Sequence, residues 1–440
     1  MIHLLRRPIR IRWRMFALTA AFSFVAYMQR TSLSVAAEQI MPRLHISQMQ
    51  MGLVLWAFTV TYTLFQIPAG LFGQRCGARR TYFWVGLVGF VATMVIPLVP
   101  VVLSGFAVLL ALVLAQGVLG ISQAPVFPVF AGVVESWFPS RRWALASGLQ
   151  TSGTLIGAAV TPPLIVLLTG SFGWQEALVI YAFPSLALAI LWAWYARDLP
   201  HEHSAVTKEE LAELDEGALE SVAPLTIRRL AQIVSGRNVL LLAFSYMCMN
   251  YVFYLLTTWS FLYLIQERHF SVLESGMLAS LPPIGATVGA ALGGVLADRL
   301  ARRLGIWRGY RLVPLVALPM VGVLLVAVIH VASPYLAAAA LTGAFAAVEV
   351  TEATYWAATM HVARTDTMAA TGVLNTGGNL GGVVGIPIVA YLSSSGSWNA
   401  AFLTGAVFAI VAAAAWLVMV SPDSHPSADV HCAQFPEAIP

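Results

Sequence analysis

The sequence predicts an all-α membrane protein with twelve transmembrane helices in two parallel six-helix repeats. Three observations lead there. Hydrophobic residues make up 59% of the chain and charged residues only 10%, where a soluble domain carries roughly 25% charged residues. The 440 residues suit about a dozen spans of ~20 residues with their connections. The tract GLFGQRCGARR at 70–80 returns as GVLADRLARR at 294–303, so that Gly70, Arg75 and Arg79 fall on Gly294, Arg299 and Arg303. Gly153, Gly157, Pro163 and Trp174 keep the same offset to Gly377, Gly381, Pro387 and Trp398. A constant offset in one direction means that one structural unit occurs twice.

Apolar windows punctuated by charge and turn residues place the spans near 14–37, 52–73, 80–100, 105–134, 143–168, 176–196, 238–265, 275–298, 311–331, 334–360, 367–392 and 398–420. An even count puts both termini on one side. Arg79, Arg80, Arg141, Arg142, Arg302 and Arg303 fall in alternate loops, whereas the opposite loops hold only Arg43 and Arg268. The positive-inside rule then makes both termini cytoplasmic. The expected organisation is a basic N-terminus (1–13), a first bundle (14–196), a cytoplasmic linker (197–237), a second bundle (238–420) and a disordered tail (421–440). The linker is read as solvated, with Leu211, Leu214 and Leu219 suiting a short amphipathic helix on the membrane face.

Several classes are excluded. The basic start and first apolar run imitate a secretory signal, but Arg30 interrupts the run, which is also longer than a signal core. Cys76, Cys248 and Cys432 lie far apart without metal spacing, so neither a disulfide framework nor a metal site is expected. The formal charge of +4 reflects membrane orientation, and no nucleic-acid partner is expected. GGNLGG at 377–382 has helix-packing spacing and no preceding strand, so it is no nucleotide loop. No Walker sequence, nucleophile elbow or catalytic dyad is present, and neither enzymatic activity nor a cofactor is expected.

Two parallel six-helix repeats around a central loop resemble the major facilitator superfamily. The tract at 70–80 is similar to that family's signature loop, Gly-x-Leu-x-Asp-Arg-x-Gly-Arg-Arg. Gln74 stands where the acid belongs, while the second copy keeps Asp298. The resemblance makes Gln74, Arg75, Arg79, Asp298, Arg299 and Arg303 gating scaffold, and the missing charge at Gln74 is expected to loosen one clamp. YMQRTSLS at 27–34, GISQAPVFP at 120–128, WFPSRR at 137–142 and NTGGNLGG at 375–382 resemble the anion:cation symporter branch. That branch includes bacterial hexonate and hexuronate transporters and the animal sialin and vesicular glutamate carriers. Its proton-coupled members carry acids where this chain has Gln29 and Gln123, and an Arg where it has Gln116. A Gln cannot take up a proton near neutral pH.

Arg30 is the sharpest single feature. A cation inside a span costs several kcal/mol unless it faces the interior and finds a partner, and its planar fork matches a carboxylate. The resemblance likewise gives the Arg at this position a role in substrate binding or coupling. Glu349 and Glu352, three residues apart in the tenth span, share a helix face. Two carboxylates close together in low dielectric cannot both ionise cheaply, which is what a proton carrier requires. Glu352 is preferred, because Tyr355 and Trp356 follow it. His361 is expected at the surface. Tyr27, Gln29, Tyr62, Gln66, Gln123, Gln150, Asn250, Tyr254, Asn375 and Asn379 are candidates for a polar cavity wall suited to a polyhydroxylated ligand, or for ordinary bonds between helices.

The function expected is secondary transport of a small organic anion, a sugar acid or related carboxylate, by alternating access. Glu349 or Glu352 would couple it to protons, and a monomer would work in the bacterial inner membrane. An uncoupled facilitator of a neutral solute and a non-transporting ligand sensor are the alternatives.

Overall fold

The computed structural model describes residues 10–214, 227–268, 281–363, 366–394 and 396–419. The expected amphipathic position Leu219 and the tail after Ser421 lie outside the described residues. The helices are α1 (Ile11–Leu44), α2 (Gln48–Val102), α3 (Phe106–Gln123), α4 (Val126–Trp137), α5 (Trp143–Phe172), α6 (Trp174–Tyr195) and α7 (Lys208–Leu211). After them come α8 (Ile227–Val234), α9 (Arg237–Gln266), α10 (Leu281–Leu304), α11 (Ile306–His330), α12 (Pro334–Ala363), α13 (Thr367–Ser394) and α14 (Trp398–Val418). Ten helical segments among the described residues are long and apolar enough to cross a membrane. Every backbone N–H and C=O in lipid must be satisfied within the protein, and helices do so without strands.

Two predicted boundaries take a different form. The second and third spans run as one helical trace, α2, broken at Gly77 (φ 80°, ψ 162°). Only glycine adopts that conformation cheaply, and it lets the chain reverse without a loop. The fourth span is split into α3 and α4 at Ala124–Pro125, because Pro125 supplies no N–H. The start of α2 is fixed by a capping box. Gln50 N–H donates to Ser47 Oγ at 3.2 Å and Ser47 N–H to Gln50 Oε1 at 2.8 Å.

The repeat read from glycines and tryptophans extends to whole elements. Helices α5 and α13 begin at Trp143 and Thr367, and α6 and α14 at Trp174 and Trp398, each pair separated by the offset seen in the sequence. Packing follows the same pattern, with α1 against α5 and α9 against α13. Across the halves, α5 packs on α10 and α2 on α13. Gly148 lies on the backbone of Ala290 and Gly294, and Gly70 on that of Met368. A side chain at either glycine would force the helices apart.

The arginines after these contacts gather at one end of the bundle, where Arg302 Nη1 reaches the carbonyl of Arg141 at 3.4 Å. The described part of the linker docks at this Arg-rich end. The Glu210 carboxylate accepts N–H bonds from Ile11 and Arg12 at 3.3 and 3.0 Å, and one from Arg12 Nε at 3.0 Å. It thereby satisfies the free donors at the start of α1. Most of the described linker from His201 to Glu209 is exposed, but Glu210 and its partner Arg12 are buried. His203 packs between the rings of Trp137 and Tyr195, and burial together with nearby Arg197 and Arg14 lowers its pKa.

Candidate functional site

Helical spacing brings the candidate side chains onto facing stripes. On α1, Tyr27 and Arg30 are three residues apart, as are Glu349 and Glu352 on α12. Tyr62 on α2 sits four residues from Phe58, and α9 presents Tyr246, Asn250 and Tyr254 at steps of four. Asn375 and Asn379 repeat that step on α13. All the residues just named, Phe58 excepted, line a central cavity of about 80 Å³, with Trp356, Phe127 and Thr151 also in its wall.

Arg30 occupies an aromatic cage in that wall. Its guanidinium carbon lies 5.6, 5.2 and 5.5 Å from the ring centroids of Tyr27, Phe58 and Tyr62. No ion pair among the described residues includes it. A desolvated cation–π contact is worth about 2 kcal/mol, whereas a cation at this depth costs several. The cage fixes the guanidinium in place but leaves room for a counter-ion.

Opposite, Glu352 Oε1 accepts from Tyr246 Oη at 2.6 Å and from Trp356 Nε1 at 2.9 Å. Tyr355 points elsewhere, sharing a hydrogen bond with Ser245 at 2.7 Å. Glu349 is buried, and its Oε2 has no partner. Asn375 Nδ2 donates to Gln66 Oε1 at 3.0 Å and to Tyr62 Oη at 3.4 Å, tying α13 to α2 beneath the cavity.

Gln29, Gln66, Gln123 and Gln150 stand apart from the cavity wall. Gln123 Nε2 donates to Gln29 Oε1 at 3.2 Å, and Gln29 Nε2 to the carbonyl of Gly89 at 3.3 Å. Gln150 Nε2 donates to Ser23 Oγ. These amides join helices. Gln116 is likewise buried outside the wall. His361 is half-buried rather than on the surface, its ring 4.5 Å from that of Trp143. Tyr246 and Thr151 are wall residues that the sequence reading overlooked. The signal for Tyr246 was its four-residue step from Asn250.

A second cavity of about 770 Å³ shares Tyr27, Arg30, Leu155, Phe253 and Tyr254 with the first. It runs between the second half of α5 and the start of α10, away from the Arg-rich end, and its wall is mostly apolar (Ile156, Val160, Ile284, Val288). Arg30 thus stands where a polar chamber meets an apolar groove.

Two related contacts join the halves at the Arg-rich end. Asp298 on α10 accepts N–H bonds from Ala144 and Leu145 at the start of α5, at 3.3 and 3.0 Å. Gln74 on α2 accepts one from Met368 at the start of α13, at 3.2 Å. Both exploit the free donors of a helix N-terminus, but only Asp298 adds a charge that the helix dipole favours. Arg79 bonds on its own side of the molecule, donating its N–H to Asp198 Oδ1 at 2.7 Å and Nε to the carbonyl of Ala193 at 3.1 Å. Burial raises the Asp198 pKa, and the N–H bonds from Arg79 and Ala78 oppose the rise. Arg75 and Arg299 lie exposed at this end, as does Arg303.

Asp298→Asn is expected to open this end. A charge at a helix start contributes about 1 kcal/mol, so the closed population relative to the open one should fall roughly fivefold. Distances between spin labels at Arg80 and Arg303 check this, and an unchanged distribution would remove the latch role.

Comparison with known proteins follows from this geometry. A family model described as Major Facilitator Superfamily matches residues 19–364 and 308–431. A probable sulfoacetate transporter, SauU, of Cupriavidus necator is 29% identical, with 94% of this chain and 95% of that one covered. A probable galactarate/D-glucarate transporter, GudP, of Escherichia coli is 27% identical over 90% of each. A D-galactonate transporter of Escherichia coli is 27% identical over 94% and 96%. Among solved structures, the transporter FucP in the outward conformation superposes with a TM-score of 0.70 at 14% identity, covering 93% of this chain and 99% of that chain.

Proposed function

The chain belongs to the Major Facilitator Superfamily, and from that premise we propose that it carries a small organic anion, a sugar acid or related carboxylate, by alternating access. It is a membrane transporter, not an enzyme. The observation that carries the anion reading is Arg30, held by aromatic rings in a cavity wall without a carboxylate partner. The names of the relatives support the same class of cargo.

In this reading residues 14–196 and 238–420 are the two rocking bundles. Helix α1 and the two arms of α2 complete a set of twelve crossings, and both termini are cytoplasmic in a bacterial inner membrane. The protein works as a monomer. The structure's closure at the Arg-rich end then corresponds to a site facing outward. Arg30 holds the anionic group, and Asn250, Asn375 and Asn379 meet hydroxyls. Glu349 and Glu352 carry the proton, replacing the acids absent at Gln29 and Gln123. Those two glutamines bond each other, and as amides neither takes up a proton near neutral pH.

The test is thermal stabilisation of the purified protein by hexonates, hexuronates, smaller carboxylates and neutral sugars. Stabilisation by carboxylates and not by neutral sugars is expected. The reverse pattern would favour a facilitator of neutral solutes.

A further inference from the structure

We propose that the cargo carries one negative charge, so that aldonates and uronates are accepted while aldarates of the same carbon skeleton are rejected. The inference rests on the anion-transport reading and makes it more specific. Two separate observations lead to it.

The first is the charge inventory. Arg30 is the only cation among the described residues lining either the central cavity or the apolar groove. Glu349 and Glu352 line the same central cavity. A single anionic group placed on Arg30 has a full counter-charge. A second one, at the far end of a six-carbon chain, meets no cation among the described lining residues. Burying an unpaired charge in a low-dielectric chamber is costly.

The second is the direction of the hydrogen-bonding groups away from Arg30. Asn250 Nδ2 already donates to the carbonyl of Tyr246 at 3.0 Å, and Asn379 Nδ2 to that of Asn375 at 2.8 Å. Asn375 Nδ2 is taken by Gln66 and Tyr62. Asn375 thus has both N–H groups placed, while Asn250 and Asn379 keep one each, and all three amide oxygens accept. A terminal hydroxyl both donates and accepts, so it matches more of these groups than an ionised carboxylate, which only accepts. It also needs no counter-charge.

The test is equilibrium binding to the purified full-length protein at pH 7 and constant ionic strength, using galactonate, glucuronate, galactarate and glucarate. The first two are expected to bind at least about tenfold more tightly than the last two. Equal or tighter aldarate binding by the wild type would overturn the proposal while leaving the anion reading intact, and this comparison needs no variant. If none of the four binds, this inference falls, while the smaller carboxylates still test the anion reading.

Discussion

Replacing Arg30 with alanine is expected to weaken carboxylate binding by about a hundredfold or more, the cost of leaving a buried anion without its partner. The fold should survive. The guanidinium makes ring contacts with Tyr27, Phe58 and Tyr62 but no ion pair among the described residues, so its removal strands no described buried carboxylate. Arg30→Lys should restore only part of the affinity, because an ammonium is a point charge without the planar fork. The readout is the concentration dependence of thermal stabilisation by galactonate in the three proteins. Equal stabilisation of wild type and Arg30→Ala would place the anion elsewhere.

The second large effect concerns the pair on α12. Glu349→Gln with Glu352→Gln should abolish accumulation driven by a pH gradient while leaving exchange of substrate for substrate within about threefold of wild type. Glutamine is isosteric with glutamate and retains a carbonyl oxygen, so the bonds from Tyr246 and Trp356 to position 352 have an acceptor in the variant. What disappears is the capacity to bind and release a proton. Proteoliposomes loaded at two pH values separate the cases. Accumulation that persists in the double variant would remove the coupling role from α12. A wild type indifferent to the gradient would mark the protein as an uncoupled facilitator.

Much of this architecture was legible in the sequence because hydropathy and the internal repeat are long-range signals. The glycine and tryptophan matches pointed to a repeat, and the structure opens equivalent helices at Trp143 and Thr367 and at Trp174 and Trp398. The bend at Gly77 was less legible, since a single positive-φ residue turns the chain where a loop of several residues was expected. At the site, Arg30, the two glutamates and the three asparagines come together around one chamber, as spacing along apolar helices suggested. The glutamines did not follow. An amide on a helix apolar on every side can face either a cavity or a neighbouring helix, and composition does not distinguish them. Gln29 and Gln123 became each other's partners, and Gln66 a partner of Asn375. Tyr246 was missed because a tyrosine in a hydrophobic run resembles core until its hydroxyl is seen on Glu352.

The two latches illustrate a limit of reading motifs by residue identity. Gln74 lacks the charge of Asp298, yet it receives the same kind of N–H bond from the equivalent helix start. The substitution keeps the contact and removes the electrostatic contribution, so the halves are related in geometry but unequal in strength.

The most direct measurement is counterflow of labelled galactonate into proteoliposomes preloaded with unlabelled galactonate, comparing the wild type with Arg30→Ala. The account predicts transient accumulation of label in wild-type vesicles and none above protein-free vesicles in the variant. Equal counterflow in both, or none in either, would contradict it.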